Sequence, residues 1–207
     1  MTNHTLGEKV IIASNNRGKS REIIPCLEAI GLNVELQGDI GISSIKETKT
    51  TFVENALDKA KHAVSASGYS SIADDSGLIV PAIGGLPGIF SSRFFGDQAT
   101  DEQNIVFLLN KMAGLTGSDR NAYFICVLAL VKFDKDPDPI LIKRTWHGEI
   151  LFEPSGSNGF GYDTVFAIPH PQLRKISVAN LDLTSKNQIS HRGRAIQDLI
   201  SQIKECL

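Results

Sequence analysis

The sequence predicts an α/β protein built on a mixed β-sheet flanked by helices, and three observations carry that prediction. The chain opens with an apolar strand, Lys9-Val-Ile-Ile-Ala-Ser14, followed through a polar loop by a helical pattern. A second helix is announced by Thr51-Phe-Val-Glu54, a capping box in which Thr and Glu stand three residues apart. Two apolar segments, 123–131 and 140–146, then follow one another across a linker of Asp, Pro and Lys, the pattern of a hairpin. A β-α beginning combined with a hairpin gives a mixed sheet, not a purely parallel one.

Taken in order, the first helix sets Ile23, Ile24, Leu27 and Ile30 on one side and stops at Gly31. Pro25 is awkward there, because its ring meets the carbonyl of Arg21; it fits only a first turn or a kink. The helix after Thr51 buries Val53, Ala56, Leu57, Ala60 and Val64, with Asn55 and Lys59 one turn apart on another face. Residues 72–80 read as a short apolar strand that ends on Asp74 and Asp75, turns through Ser76-Gly77 and continues apolar. Thr100-Asp-Glu-Gln103 repeats the capping logic ahead of Ile105, Val106, Leu108, Leu109 and Met112. A further strand covers 164–168, and a last helix buries Ile196, Leu199, Ile200 and Ile203. No internal repeat or low-complexity segment interrupts the chain, so residues 1–207 are expected to form a single domain.

Bulk properties exclude several classes. With 42% hydrophobic and 21% charged residues among 207, the chain is globular and large enough for a real core. A net charge of −2 lacks the basic excess of a nucleic-acid binder. The apolar run from Phe124 to Val131 falls far short of the about 20 residues a membrane-spanning helix needs. The polar start carries no secretory signal. Cys26, Cys126 and Cys206 stand far apart, without metal spacing, as reduced cytosolic thiols do.

Four segments are candidates for chemistry. Asp74-Asp75-Ser76-Gly77 offers carboxylates at a strand, the oxygen ligands that hard cations take together with phosphates; it also fits a capped turn. Ten residues on, Gly84-Gly85-Leu86-Pro87-Gly88 is a backbone with little side chain to hinder a ligand. Ser14-Asn15-Asn16-Arg17-Gly18-Lys19 sits between strand and helix, where outward amides and the helix dipole favour an anion. It is not a P-loop, since that motif requires Gly where Ala13 stands. The stretch from Phe152 to Asp163 alternates glycines with aromatics, so that Phe152, Phe160 or Tyr162 is placed either to stack on a base or to enter the core. Finally, Lys186 and the pair His191-Arg192 bring several donors to a helix start.

The order and spacing of Ala-Ser-Asn-Asn-Arg-Gly-Lys, Thr-Phe-Val-Glu-Asn-Ala, Ala-Asp-Asp-Ser-Gly-Leu, Gly-Gly-Leu-Pro-Gly-Ile, Gly-Phe-Gly-Tyr-Asp and Ser-His-Arg-Gly closely resemble the inosine triphosphate pyrophosphatase family, the bacterial dITP/XTP pyrophosphatases. The resemblance runs from about Val10 to Ile203. It implies a long twisted mixed sheet in two lobes, with an active-site cleft between them. It implies a cytoplasmic, homodimeric, Mg²⁺-dependent hydrolase that converts dITP, ITP and XTP to the monophosphate and pyrophosphate, cleansing the nucleotide pool. Carried onto this sequence, Ser14, Asn15, Asn16, Arg17, Gly18 and Lys19 would hold the triphosphate, with Lys59 reaching it from the capped helix. Asp75 would be the catalytic base, the Mg²⁺ ligand or both, and Ser76 would touch substrate. Phe160, Gly161, Tyr162, Asp163, Lys186, His191 and Arg192 would bind the nucleoside end. His191 and Arg192 would together form a donor-rich pocket for the 6-oxygen that hypoxanthine and xanthine share. One departure stands out: where the family commonly has two acids and then Thr-Gly, this chain has Lys46-Glu47-Thr48-Lys49, leaving Glu47 or Asp74 as the second metal carboxylate. A nucleotide-binding module without hydrolysis is the alternative that Lys46 favours.

Overall fold

A seven-stranded sheet organises the protein, with strands in the order β2-β1-β3-β4-β5-β6-β7. The structure is a computed structural model and describes residues 9–206. The strands are β1 (Lys9–Ile12), β2 (Asn33–Leu36), β3 (Ser70–Ile79), β4 (Asn121–Val131), β5 (Ile140–Ile150), β6 (Phe166–His170) and β7 (Arg174–Ser177). The helices are α1 (Arg17–Glu28), α2 (Phe52–Ser67), α3 (Asp101–Lys111), α4 (Leu183–Ile189) and α5 (His191–Cys206). β1 pairs in parallel with both β2 and β3, whereas β6 runs antiparallel to β5 and β7. The sheet is therefore mixed, as the sequence predicts.

The chain divides into two compact units. One takes residues up to Asp75, 126–144 and those from Arg192 on; the other takes 76–125 and 145–191. The first unit has its own core, in which Ile12, Leu27, Ile72, Leu128 and Leu199 are fully buried or nearly so. The second packs Leu78, Leu108, Tyr162, Phe166 and Val178 into another. No helix among the described residues is long and apolar enough to cross a membrane.

Several expectations need correcting. β3 does not stop at the carboxylates: it runs through Asp74, Asp75, Ser76 and Gly77 without a turn. Eight of its ten residues are buried, so the polar interruption marks acids with partners inside, not a loop. β2 and β7 escape the apolar pattern because they are four-residue strands at the two ends of the sheet order, where short and polar edges are the rule. β6 begins at Phe166 and not at residue 164, because the amides of Val165 and Phe166 both donate to the Tyr162 carbonyl and close a turn first. Pro25 lies inside α1 beyond its first turn, on the exposed face where water can satisfy the Arg21 carbonyl.

Both capping signals hold. Thr51 Oγ1 accepts from the Glu54 amide at 3.2 Å, and Thr100 with Gln103 forms the full reciprocal box. In α2 the buried set is Asn55, Ala56, Ala60, Ala63 and Val64, with Val53 and Leu57 only half-buried. In α3 Val106 is 58% exposed, since the 3.6-residue period gives the core face to Ile105, Leu108 and Met112. Cys26 and Cys126 are free thiols; the Cys206 side chain lies outside the described residues.

Candidate active site

In the first unit, α1, α2 and β3 bring two lysines to the carboxylate doublet. Lys59 Nζ lies 2.9 Å from Asp75 Oδ1, 2.9 Å from Glu47 Oε1 and 2.8 Å from the Asp74 carbonyl oxygen. Lys19 Nζ reaches the same Asp74 carbonyl at 3.4 Å and Asp74 Oδ1 at 2.6 Å. Two ammonium groups from two helices thus converge on one peptide oxygen in mid-strand. Asp75 Oδ2 is buried and has no hydrogen-bond partner. Burial raises the Asp75 carboxyl above its ordinary range, and Glu47 adds to that, while Lys59 and Lys19 pull the other way. Burial works against the Lys59 ammonium too, but Asp75 and Glu47 outweigh it and raise its pKa.

Asp74 faces a different set. Its Oδ2 accepts from Arg192 Nε at 2.7 Å and lies 3.5 Å from Cys126 Sγ. Arg192 in turn donates from Nη1 to Glu22 Oε2 at 2.5 Å. Burial opposes the guanidinium charge, yet Asp74 and Glu22 more than offset it and hold Arg192 firmly protonated. Alternation along a strand explains the division: consecutive side chains leave on opposite faces, so the two acids meet different neighbours.

The loop ahead of α1 is a capped helix entrance. Asn16 is the N-cap and its Oδ1 accepts from the Lys19 amide at 3.1 Å, while its own amide donates to Ser14 Oγ at 3.2 Å. Asn15, Asn16 and Arg17 are exposed, and Ser14, Gly18 and Lys19 half-buried. First-turn amides of such a helix point outward, and the dipole favours an anion beside them.

The second unit holds the remaining candidates. Lys186 Nζ bonds Asp163 Oδ2 at 2.6 Å and lies 4.9 Å from the centre of the Phe160 ring. The Phe160 amide donates to the same Asp163 oxygen, and the Gly161 amide donates to Asp101. Gly159 has φ +83°, and a Cβ there would run into the Asp163 carboxylate, so this turn requires glycine. Tyr162 is buried, its hydroxyl donating to the Ser91 carbonyl at 2.8 Å, and so belongs to the core and not to a stacking surface. Phe152 is 65% exposed, with the Arg120 guanidinium over its ring at 4.1 Å. Ser76 is half-buried, the first residue of this unit along β3.

His191 and Arg192 stand side by side at the start of α5. The His191 ring lies stacked on Phe124, centres 4.8 Å apart, whereas Arg192 is given over to Glu22 and Asp74. Glu22 is the site residue that sequence reasoning misses. Its one signal is an acid at position 22 among Ser20, Ile23 and Leu27, the buried face of α1.

The chain is 44% identical over 197 residues to the dITP/XTP pyrophosphatase of Photobacterium profundum, covering 95% of this chain and 98% of that one. It is 45% identical to the dITP/XTP pyrophosphatase of Nitrosomonas europaea, covering 95% of each. Among solved structures, a HAM1 protein from Coxiella burnetii superposes with a TM-score of 0.86 at 41% identity, covering 95% of this chain and 98% of that one. Residues 10–202 match the Ham1 family along their whole extent, and the chain belongs to that family.

Proposed function

We propose that this protein hydrolyses non-standard purine nucleoside triphosphates, dITP, ITP and XTP, to the monophosphate and pyrophosphate. The observation that carries the reading is the meeting of Lys19 and Lys59 at the Asp74 carbonyl, beside a buried Asp75 oxygen that has nothing to bond. Two ammonium groups there neutralise a pyrophosphate leaving group, and the α1 entrance, residues 14–19, receives its oxygens on outward amides. Asp75 takes the proton of the attacking water; a carboxylate raised by burial is a better base than an exposed one.

The residues also fit a divalent cation. Hard cations such as Mg²⁺ take one or two carboxylates together with phosphate oxygens. Glu47 and Asp75 supply two carboxylates around one lysine, and the unpaired Asp75 Oδ2 is an open oxygen ligand. No cluster of three metal-ligating side chains occurs among the described residues, so substrate oxygens would complete the shell. The cation would supply further charge neutralisation at the polyphosphate. Glu47 thus does what the family's acids do despite Lys46, and Asp74, held by Lys19 and Arg192, does not serve as the second ligand.

At the nucleoside end, Phe160, Gly161, Asp163, Lys186 and His191 receive the base, and Ser76 touches substrate. Donors facing a 6-oxygen would be left unsatisfied against adenine's amino group, which costs about 1–3 kcal/mol. The enzyme acts as a homodimer on the cytosolic nucleotide pool. The test is a panel of nucleoside triphosphates, with and without Mg²⁺, in which the departing phosphate species is identified. Pyrophosphate from dITP and XTP, with little from ATP or GTP, is the expected result; orthophosphate as first product would overturn the proposal.

A further inference from the structure

The loop that carries Glu47 is held by α2 through more than the lysine of the proposed chemistry. Residues 37–51 form neither helix nor strand, and Glu47 lies half-buried between the exposed Lys46 and Thr48. Lys59 Nζ takes the Glu47 carboxylate at 2.9 Å. One turn earlier on the same side of α2, Asn55 Oδ1 accepts from the Lys49 amide at 3.1 Å. Asn55 and Lys59 thus grip the loop at Lys49 and at Glu47, on either side of Thr48. The Lys49 side chain adds little, because its ion pair with Asp58, at 3.3 Å, is exposed at both ends. Further upstream, Gln37 Nε2 donates to Ser44 Oγ at 2.8 Å, and His62 Nε2 lies 2.9 Å from the Ser43 carbonyl oxygen.

Asn55 is a poor choice for the core. It is 1% exposed, in a buried set of α2 that is otherwise Ala56, Ala60, Ala63 and Val64. Its Nδ2 is buried and has no hydrogen-bond partner. A buried donor without an acceptor is a cost that an apolar side chain here would not carry. What the asparagine gives instead is its bond to the loop, two residues from the Glu47 carboxylate. That bond differs in kind from the lysine's. Lys59 is shared among Glu47, Asp75 and the Asp74 carbonyl, and the polyphosphate competes for it in the proposed reaction. Asn55 is neutral and bonds backbone, so its hold on the loop does not depend on the charge that substrate brings.

We propose that Asn55 is a positioning residue for the cation site: by clasping the loop at Lys49, it keeps the Glu47 carboxylate beside Asp75, where both can take one divalent ion. The inference rests on the reading of Glu47 and Asp75 as cation ligands. Asn55 itself touches neither ion nor substrate. Its effect falls on cation affinity, because a ligand already in place loses less freedom when the ion binds.

A double-mutant cycle tests it. Asn55→Ala removes the acceptor for the Lys49 amide. Mn²⁺ binding is read from the electron paramagnetic resonance signal of the free ion, with imidodiphosphate present as a non-hydrolysable stand-in for pyrophosphate. The substitution weakens Mn²⁺ binding about tenfold, the low end for a group that orients a metal ligand. In dITP hydrolysis it raises the Mg²⁺ concentration for half-maximal rate by a similar factor, with kcat at saturating Mg²⁺ changed less than about threefold. In a Glu47→Gln background it changes Mn²⁺ binding less than about twofold, because the carboxylate it positions is gone. Thermal unfolding of all four proteins is followed in parallel. Equal factors in both backgrounds, or unchanged Mn²⁺ binding whatever the melting temperature, would show a structural role at most and overturn the proposal. Should Asn55→Ala fail to fold, Lys49→Pro, which deletes the donor from the loop and leaves α2 intact, carries the same cycle. A wild type that releases no pyrophosphate from dITP defeats the functional reading, whereas one that releases it without binding Mn²⁺ defeats this inference alone.

Discussion

Asp74 and Asp75 are neighbours on one strand, alike in chemistry and both buried, yet they inhabit opposite regions. Around Asp74 the charges close: Lys19, Arg192 and Glu22 complete a neutral set. Around Asp75 they do not. Lys59 is shared with Glu47, and Asp75 Oδ2 stays without a partner. A closed set fixes geometry, whereas an open one has an unmet demand that a cation or a water can answer. The comparison teaches that burial alone does not mark a reactive acid; the incomplete neighbourhood does.

The sharpest way to break this contrast is to change each acid to its amide. Asp75→Asn should lower turnover on the order of 10²–10⁴-fold with little loss of stability, since it removes a proton acceptor. Steady-state kinetics beside a urea titration measure both. Asp74→Asn should do the reverse in emphasis: it takes from Lys19 the carboxylate it bonds, leaves Arg192 with Glu22 alone, and destabilises the fold by about 3–5 kcal/mol. If Asp75→Asn unfolds the protein while Asp74→Asn only slows it, the two regions have been assigned the wrong way round. In the second unit, Gly159→Ala should cost on the order of 1–3 kcal/mol, because its Cβ displaces the Asp163 carboxylate from Lys186. Weakened dITP binding should accompany the lower melting temperature; unchanged KM would remove the Asp163–Lys186 pair from the nucleoside end. Smallest of all, Thr100→Ala should cost about 1 kcal/mol by opening the α3 capping box and leave kinetics untouched, a control remote from both acids in chain and chemistry.

How much of this is legible in the sequence depends on range. Capped helices at Thr51 and Thr100 are written in four residues each, and the apolar strands β1 and β4 in their composition, so local physics decides them. β2 and β7 are short and polar, and exist because a neighbouring strand offers its ladder; nothing within Asn33–Leu36 or Arg174–Ser177 announces that. The doublet misleads for the same reason. Asp-Asp-Ser-Gly has turn composition, and only partners 15 to 118 residues away allow it to remain a strand. Motif order locates Lys19, Lys59 and Asp75, but whether their side chains converge is a tertiary fact. Likewise the sequence places His191 beside Arg192, while packing sends one ring to Phe124 and the other group to Glu22.

The uninterrupted run of β3 through the doublet has a consequence for tolerance to change. Its pairing sets Val10 opposite Ser70 and Ile12 opposite Ile72, and the Ala13 amide donates to the Ile72 carbonyl, two residues short of the first acid. Because faces alternate, slipping this ladder by a single position would exchange the surroundings of the two aspartates, turning the anchored one loose and walling in the reactive one. Insertions and deletions between residues 70 and 74 should thus be forbidden, even where substitutions there are permitted.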